Sequence, residues 1–182
     1  MTHTTVERRL YDAAWDGCTS EVQSLLTGNP ELDINWANDD HVTGLHAASL
    51  WGYFEIVKIL LAHPHINVNV QNQNGSTPFS FSCTMGDGDV TVLQLLLKDP
   101  RVDVNLRDHE GRTLLWLASL EGHFSAVEWL IASKRDLEVN LKGHLDGQEY
   151  IALDIARVRR KNEVVALLER FTANPAQIRH EL

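Results

Sequence analysis

Histidines, a cysteine and an acidic glycine-rich segment are the residues of this sequence whose types could do chemistry. His63 and His65 lie two residues apart, but no Cys, Asp or Glu stands near them at the spacing of a zinc site. The segment 86–89 (GDGD) lacks the alternating oxygen ligands and the final glutamate of a calcium loop. Cys83 falls in a predicted helix, which favours a buried thiol over a nucleophile. We therefore predict no catalytic residue, no metal and no cofactor.

Composition and charge argue against a membrane protein, a secreted protein and a nucleic-acid-binding protein. Among the 182 residues, no apolar run approaches the roughly 20 needed for a membrane helix, and the start lacks the apolar block of a secretory signal. The net charge of −9 argues against nucleic acid as a partner, because phosphate binding needs a surplus of Lys and Arg. The two cysteines, Cys18 and Cys83, sit in unrelated contexts and fit reduced thiols. We expect one domain without membrane contact in the cytoplasm or nucleus.

An internal repeat supplies the elements that would position any functional residue. A hydrophobic–Asn pair recurs with its asparagines 34, 36 and 35 residues apart, at Asn35, Asn69, Asn105 and Asn140. A threonine lies eight residues after each of the first three, at Thr43, Thr77 and Thr113. A glycine and then an aliphatic block follow in the same phase. Each unit reads as turn, helix, short loop, helix and extended segment, and it buries its apolar side only by stacking on a neighbour.

The segments 43–61 (TGLHAASLWGYFEIVKILL), 75–82 (GSTPFSFS) and 111–131 (GRTLLWLASLEGHFSAVEWLI) resemble the ankyrin repeat, whose signature is T-P-L-H-x-A. The resemblance implies an all-α ankyrin-repeat solenoid of stacked helix–turn–helix units joined by β-hairpin-like loops. We expect a single domain over 4–170, and a short polar C-terminal tail at 171–182. The first and last repeats would act as caps, and the repeats would span about 4–34, 35–68, 69–104, 105–139 and 140–170.

The copies depart from the family pattern in ways that matter locally. In the family the histidine of the signature ties the hairpin to the helix, and His46 is the one copy here. Ser80 and Trp116 replace it in the third and fourth repeats, so those loops would be fastened differently or less firmly. Arg160 stands where glycine is expected. Insertions lengthen the loop at 86–89 and the last hairpin within 143–150, either as binding elements or as tolerated surface changes.

Two features of the resemblance leave alternatives open. Asn35, Asn105 and Asn140 resemble sites modified by an oxoglutarate-dependent asparaginyl hydroxylase, while an asparagine that braces the hairpin explains them as well. The basic cluster near the last helix pair is either the polar outer side of a cap or a patch that binds acidic groups. It comprises Arg157, Arg159, Arg160 and Lys161.

The resemblance places partner binding on the hairpin tips and on the exposed side of the first helices, which line a concave face. The tips carry Asp39, Asp40, Val42, Asn74, Ser76, His109, Glu110 and Arg112, and the first helices carry Leu50, Trp51, Thr84, Leu120 and Glu121. A strip of Trp15, Leu50, Trp51 and Leu120 with acidic edges would suit a partner with an apolar core and a basic rim. Packing between repeats is the alternative for Trp15, Leu50 and Trp51. Trp116 and Trp129 are expected in the core, and Trp36 stays ambiguous.

We therefore predict a non-catalytic, monomeric protein–protein interaction module whose partner is another protein. The alternatives are a structural spacer array within a larger multidomain protein, and a small-molecule binder or enzyme. An exposed apolar strip distinguishes the module from the spacer. A deep pocket with convergent polar groups would indicate an enzyme instead.

Overall fold

The computed structural model describes residues 5–83 and 90–182, and these ranges form helix pairs followed by one added helix. The helices are α1 (Val6–Trp15), α2 (Thr19–Gly28), α3 (Gly44–Leu50), α4 (Phe54–Leu61), α5 (Pro78–Phe81), α6 (Thr91–Lys98), α7 (Leu114–Glu121), α8 (Phe124–Ala132), α9 (Ala152–Val158), α10 (Asn162–Ala173) and α11 (Pro175–Glu181). The strands are β1 (Gly143–Leu145) and β2 (Gln148–Tyr150). The insertion at 86–89 lies outside the described residues.

The helix pairs stack into two rows. The first helices α1, α3, α5, α7 and α9 contact one another in that order, and the second helices α2, α4, α6, α8 and α10 form a parallel series of contacts. The aliphatic blocks of the second helices face the first helices and are buried, as with Ile56, Leu60, Leu93 and Leu130. Each pair thus completes its core with its neighbours. The all-α solenoid predicted from the repeat is confirmed.

The repeated threonines start the first helices. Thr43, Thr77 and Thr113 are N-caps whose hydroxyls accept the backbone N–H three residues ahead, at 3.4, 3.1 and 3.2 Å. Such a cap satisfies one of the free N–H groups at a helix start. Thr5 caps α1 in the same way, whereas α9 begins after Ile151, which has no side chain able to cap it.

The repeated asparagines join one repeat to the next. The Asn35 side chain donates to the His65 carbonyl at 2.8 Å and accepts the Asn67 N–H at 2.7 Å. Asn69 and Asn105 make the same pair of bonds one and two repeats further on. Asn35, Asn69 and Asn105 therefore occupy equivalent places in successive layers, and each satisfies two backbone groups of the next repeat. This bracing accounts for the recurrence of these three residues, and hydroxylation of Asn35, Asn105 and Asn140 stays an untested alternative.

The last hairpin carries the predicted insertion as a regular ribbon. Strand β1 pairs antiparallel with β2, with Gly143 opposite Tyr150 and Leu145 opposite Gln148. Asp146 and Gly147 make the turn with φ of 51° and 78°. Positive φ at both central residues is the geometry that matches the twist of a two-residue hairpin.

The prediction of a polar C-terminal tail is wrong. Helix α10 continues to Ala173, and Asn174 then caps α11 by accepting the Gln177 N–H at 3.2 Å. Helix α11 packs on α8 and α10. Phe171 and Ile178 are both 4% exposed. These two apolar residues are too few for a periodic signal in the sequence, and Arg179, which donates to the Arg135 carbonyl at 3.0 Å, helps to hold the segment on the array.

The two tryptophans expected in the core have different outcomes. Trp116 on α7 is 1% exposed, so that prediction is confirmed. Trp129 on α8 is 41% exposed, so the prediction for it is wrong. Its neighbours Ala126, Val127 and Leu130 take the buried side of α8, which leaves Trp129 on the outer row.

Candidate functional site

The hairpin tips share one construction. A side-chain oxygen at the base of each tip accepts two backbone N–H groups across the turn: Asn38 in the second repeat, Asn72 in the third and Asp108 in the fourth. All six bonds are 2.9 or 3.0 Å long. The tips are therefore fixed turns, and their side chains are presented without the entropy of a mobile loop.

Backbone hydrogen bonds also join each tip to the next. The Gln73 N–H donates to the Asp40 carbonyl at 3.0 Å, and the His109 N–H donates to the Asn74 carbonyl at 3.0 Å. The His144 N–H donates to the Glu110 carbonyl at 2.8 Å. Four tips thus form one ridge, in which Asp40, Asn74 and Glu110 occupy equivalent positions.

The predicted tip residues divide into exposed and engaged groups. The exposed ones are Asp39, Asp40, Asn74, His109 and Glu110. Val42 and Ser76 are half-buried, and their N–H groups hold the turns. Arg112 is engaged within the fold, since its Nε lies 2.8 Å from the Asp108 carboxylate and its guanidinium lies 6.0 Å from the Trp116 ring. Arg112 therefore supports its own tip as well as lining the ridge.

The predicted residues on the first helices also differ in exposure. Trp51 and Glu121 are exposed, whereas Leu50 and Leu120 are half-buried. Thr84 lies outside the described residues. Nothing in the geometry assigns a partner to any residue of the ridge or of the first helices, so the thirteen predicted binding positions stay predictions.

Four aromatic rings form a continuous row at the N-terminal end of the array, and we call this set the aromatic row. Its members, in order of contact, are Trp36, Tyr11, Trp15 and Trp51. Neighbouring ring centroids are 5.8, 6.0 and 5.8 Å apart. These separations fall in the range of attractive aromatic pairs. Trp15 and Trp51, which the sequence predicts on one strip, are in contact. The place of Trp36 stayed ambiguous from the sequence. Tyr11 was not predicted, although Tyr11 and Trp15 are spaced one helical turn apart.

The first part of the row borders an acidic cleft of about 270 Å³. Arg8, Tyr11, Trp36, Asn38, Asp39 and Asp40 line this cleft. Burial raises the pKa of the Tyr11 phenol, the hydrogen bond from Asn38 lowers it, and the Asp12 and Asp40 carboxylates raise it further. The phenol is therefore a neutral, fixed group, held by the Asn38 amide at 3.2 Å.

A buried histidine and a buried tryptophan perform the same connection in two different repeats. His46 Nε2 lies 3.0 Å from the Ser76 carbonyl, while its Nδ1 accepts the Thr43 N–H at 3.2 Å. Trp116 Nε1 donates to the Tyr150 carbonyl at 2.7 Å. Burial lowers the pKa of His46 to about 4, although the bond to Ser76 opposes this shift. His46 is therefore a neutral structural donor without access to solvent.

Ser80, at the same position of the third repeat, bonds within its own helix start as far as the described residues are concerned. Its hydroxyl accepts the Thr77 N–H and donates to the Thr77 carbonyl, both at 2.9 Å. The expectation that the substituted repeats are fastened differently thus holds for both, by an indole in one and by a purely local bond in the other.

The described residues were also compared with the requirements of a metal site and of a membrane span. Across the described ranges, no three His, Cys, Asp or Glu side chains lie close enough to hold a metal ion. The pair His63 and His65 is in ring contact at 5.8 Å, and the His65 N–H donates to His63 Nδ1. In the same part of the chain there is no helix that could span a lipid bilayer.

The stacked helix pairs and the ridge define a repeat solenoid, and comparison with known proteins gives its family. A family model described as ankyrin repeats, in three copies, matches residues 10–108 and 84–177. The chain belongs to the ankyrin-repeat family. Ankyrin repeats are generally protein-interaction modules.

Individual relatives share only part of their length with this chain. It is 36% identical over 104 residues to the putative ankyrin repeat protein YahD of Escherichia coli, covering 56% of this chain and 51% of that protein. It is 30% identical over 125 residues to the probable E3 ubiquitin-protein ligase XBOS32 of rice, covering 68% of this chain and 24% of the ligase. It is 38% identical over 74 residues to human Rabankyrin-5, covering 41% of this chain and 6% of that protein.

Proposed function

We propose that this protein is a non-catalytic interaction module that holds a partner protein on the ridge of hairpin tips and the adjoining ends of the first helices. The observation that carries the proposal is the exposure of Trp51 and Trp15, at 40% and 38%, in an aromatic row whose other end borders the acidic tip of the second repeat. Large aromatic side chains that the core does not require are the anchors most often found at protein interfaces.

The proposal also covers the oligomeric state, the location and the lack of catalysis that we expect of the protein. We expect a monomer, and we expect it in the cytoplasm or nucleus because two scattered cysteines, Cys18 and Cys83, favour a reducing compartment. Catalysis is left out because the matched family generally binds rather than reacts. The match to the rice ligase covers a quarter of that protein, so its activity is not transferred.

The experiment uses a matched pair of tryptophans. Bait proteins carrying Trp51→Ala or Trp129→Ala would be compared with wild type in a quantitative pull-down from cells of the source organism. Trp51 lies on the proposed face and Trp129 on the outer row, with nearly equal exposure. Their removal should therefore cost similar stability and differ in binding.

We expect Trp51→Ala to lose specific partners that Trp129→Ala retains. A bait with Asp39→Asn and Asp40→Asn should weaken the same partners without loss of packing. Thermal unfolding of each bait checks that it is folded. Identical capture by wild type and both face variants would refute the proposed face.

A further inference from the structure

The aromatic row is more exposed than the fold requires. Helix α1, which carries Tyr11 and Trp15, packs well through other residues, since Leu10, Ala13 and Ala14 are almost fully buried. The rings themselves lie against one another instead of against aliphatic core. Trp15 and Trp51, which meet edge to face at 81°, leave more than a third of their surface open. Contiguous exposed aromatic surface of this kind marks a binding site more often than a structural need.

Carboxylates lie near the row. Asp12 on α1 and Asp16, the residue that follows α1, are the sequence neighbours of Tyr11 and Trp15, and Asp39 and Asp40 lie on the tip that follows Trp36. All four are exposed. The rings are therefore bordered by negative charge that nothing on the row itself neutralises.

Two cations of the same region are each paired with a carboxylate. Arg9 pairs with Glu21 on α2 at 2.9 Å, and both line a separate pocket with Asp12 and Asp16. Arg8 lines the acidic cleft but lies 3.9 Å from the Asp12 carboxylate with a side chain that is 63% exposed. A loose surface pair of this geometry contributes little energy and can be displaced.

Aromatic faces bordered by carboxylates are chemically suited to one kind of side chain. A cation over an aromatic face is attracted by the ring quadrupole, by roughly 0.5–2 kcal/mol depending on its solvation. Arginine fits better than lysine, because its planar guanidinium is weakly hydrated, stacks on rings and donates in a fork to a carboxylate. The negative border repels nucleic acid.

We propose that the aromatic row, with Asp39 and Asp40, binds arginine side chains of an extended basic segment of the partner protein. This inference rests on the proposed function and specifies the chemistry of the partner. One guanidinium stacks on the open face of Trp51 or Trp15, and another enters the cleft beside Tyr11 and donates to the tip carboxylates. Arg8 is displaced from the cleft when the segment binds.

The test follows the indole N–H signals of the protein by NMR during titration with short Gly-Ser peptides. One peptide carries spaced arginines, and matched peptides carry lysine or citrulline at the same places. We expect saturable shifts of the Trp15, Trp36 and Trp51 signals with the arginine peptide, while Trp116 and Trp129 stay unchanged. The lysine peptide should bind at least about threefold more weakly, and the citrulline peptide should not bind detectably.

Variants of the protein measure the contributions of the rings and of the carboxylates to peptide affinity separately. Trp51→Ala should weaken the arginine peptide about tenfold, and Trp129→Ala should leave its affinity unchanged. The double variant Asp39→Asn, Asp40→Asn keeps every ring and should weaken binding as well, so the inference can be tested even if Trp51→Ala unfolds. Equal affinity for arginine and lysine peptides, or no binding of either, would overturn the inference.

The two proposals can fail separately. If no peptide binds while partner capture still depends on Trp51, the face is an interface for different chemistry and only the arginine inference is lost. If the arginine peptide binds the row while partner capture is unaffected by the face variants, the site exists but the proposed function is wrong.

Discussion

The second and fourth repeats tie their first helix to the next hairpin with different chemistry. In the second repeat a buried imidazole, His46, meets the Ser76 carbonyl at 3.0 Å. In the fourth repeat a buried indole, Trp116, donates to the Tyr150 carbonyl at 2.7 Å. Ser76 and Tyr150 each directly precede the N-cap residue of the following first helix. These two repeats thus aim a buried donor at the equivalent carbonyl, and different side chains supply it.

The largest effect should come from removing the indole. Trp116→Ala deletes a fully buried ring and leaves the Tyr150 carbonyl without its donor, so we expect a loss of about 3–5 kcal/mol in the free energy of unfolding. Urea denaturation measures it. The companion Trp116→Phe keeps most of the packing and should lose about 1–2 kcal/mol. If the two variants lost the same amount, the hydrogen bond rather than the ring would dominate, contrary to this account.

The helix starts could be predicted from the sequence because each depends on local chemistry, and the connecting asparagines could be found because they recur at the period of the repeat. Thr43, Thr77 and Thr113 cap helices wherever such a residue precedes an apolar run. The donor exchange at Trp116 could not be foreseen as a hydrogen bond, since the indole reaches a carbonyl 34 residues away in sequence.

The candidate site was predictable in part for the same reason. Exposure of Trp51 and the acidic tip follows from repeat position. Contact of Tyr11 with Trp36 depends on how the first helix sits against the following hairpin, which no local pattern records. Trp129 and α11 were mispredicted because their sides are decided by which neighbours fill the space, Leu130 and Val127 in one case and Ile178 in the other.

The second largest effect should be a pH dependence of the free energy of unfolding that comes from His46 in the second repeat. Unfolded histidine binds a proton below about pH 6.5, whereas folded His46 does so only near 4. Between these values the unfolded chain holds more protons, so the free energy of unfolding falls as the pH is lowered. The shift in the pKa of His46 corresponds to about 3 kcal/mol in the free energy of unfolding. This stabilisation is present above pH 6.5 and is lost towards pH 4.

The matched variant His46→Ser copies the arrangement of the third repeat and removes the titrating group. Urea denaturation between pH 7 and pH 4 should give this variant a shallower slope than wild type, while titration of the carboxylates is common to both. Parallel pH profiles would show that burial of His46 does not hold the imidazole neutral.

The third effect is a gain in stability from a substitution in the third repeat. Ser80→His would give the third repeat the donor that the second repeat has, aimed at the Arg112 carbonyl, which directly precedes the N-cap Thr113. A typical net hydrogen bond stabilises by about 1 kcal/mol, and we expect the melting temperature of the variant to rise accordingly. A Ser80→Asn control adds bulk without the reach of an imidazole and should not reproduce the gain. A fall in stability with histidine would mean that the third and fourth repeats lack the spacing found between the second and third.

The smallest effect concerns how the first helices end. Gly52 and Gly122 adopt φ of 71° and 82° after the first helices of the second and fourth repeats, and Arg160 adopts φ of 57° at the equivalent place after α9. A left-handed residue with a Cβ is strained by roughly 1–2 kcal/mol, while glycine loses about 0.5–1 kcal/mol more backbone entropy on folding. Arg160→Gly should therefore gain about 0.5 kcal/mol, measured as a rise in the urea midpoint at constant slope. Gly122→Ala makes the reverse change in the fourth repeat and should lose stability, and the nearest atoms to its new Cβ belong to the flexible Lys161 side chain, at 2.6 Å from Cδ. Opposite signs for the two variants would establish that the last repeat keeps the backbone geometry of the others despite a costlier residue. A loss of stability in Arg160→Gly would show instead that the arginine side chain contributes more to the cap than its strained backbone removes.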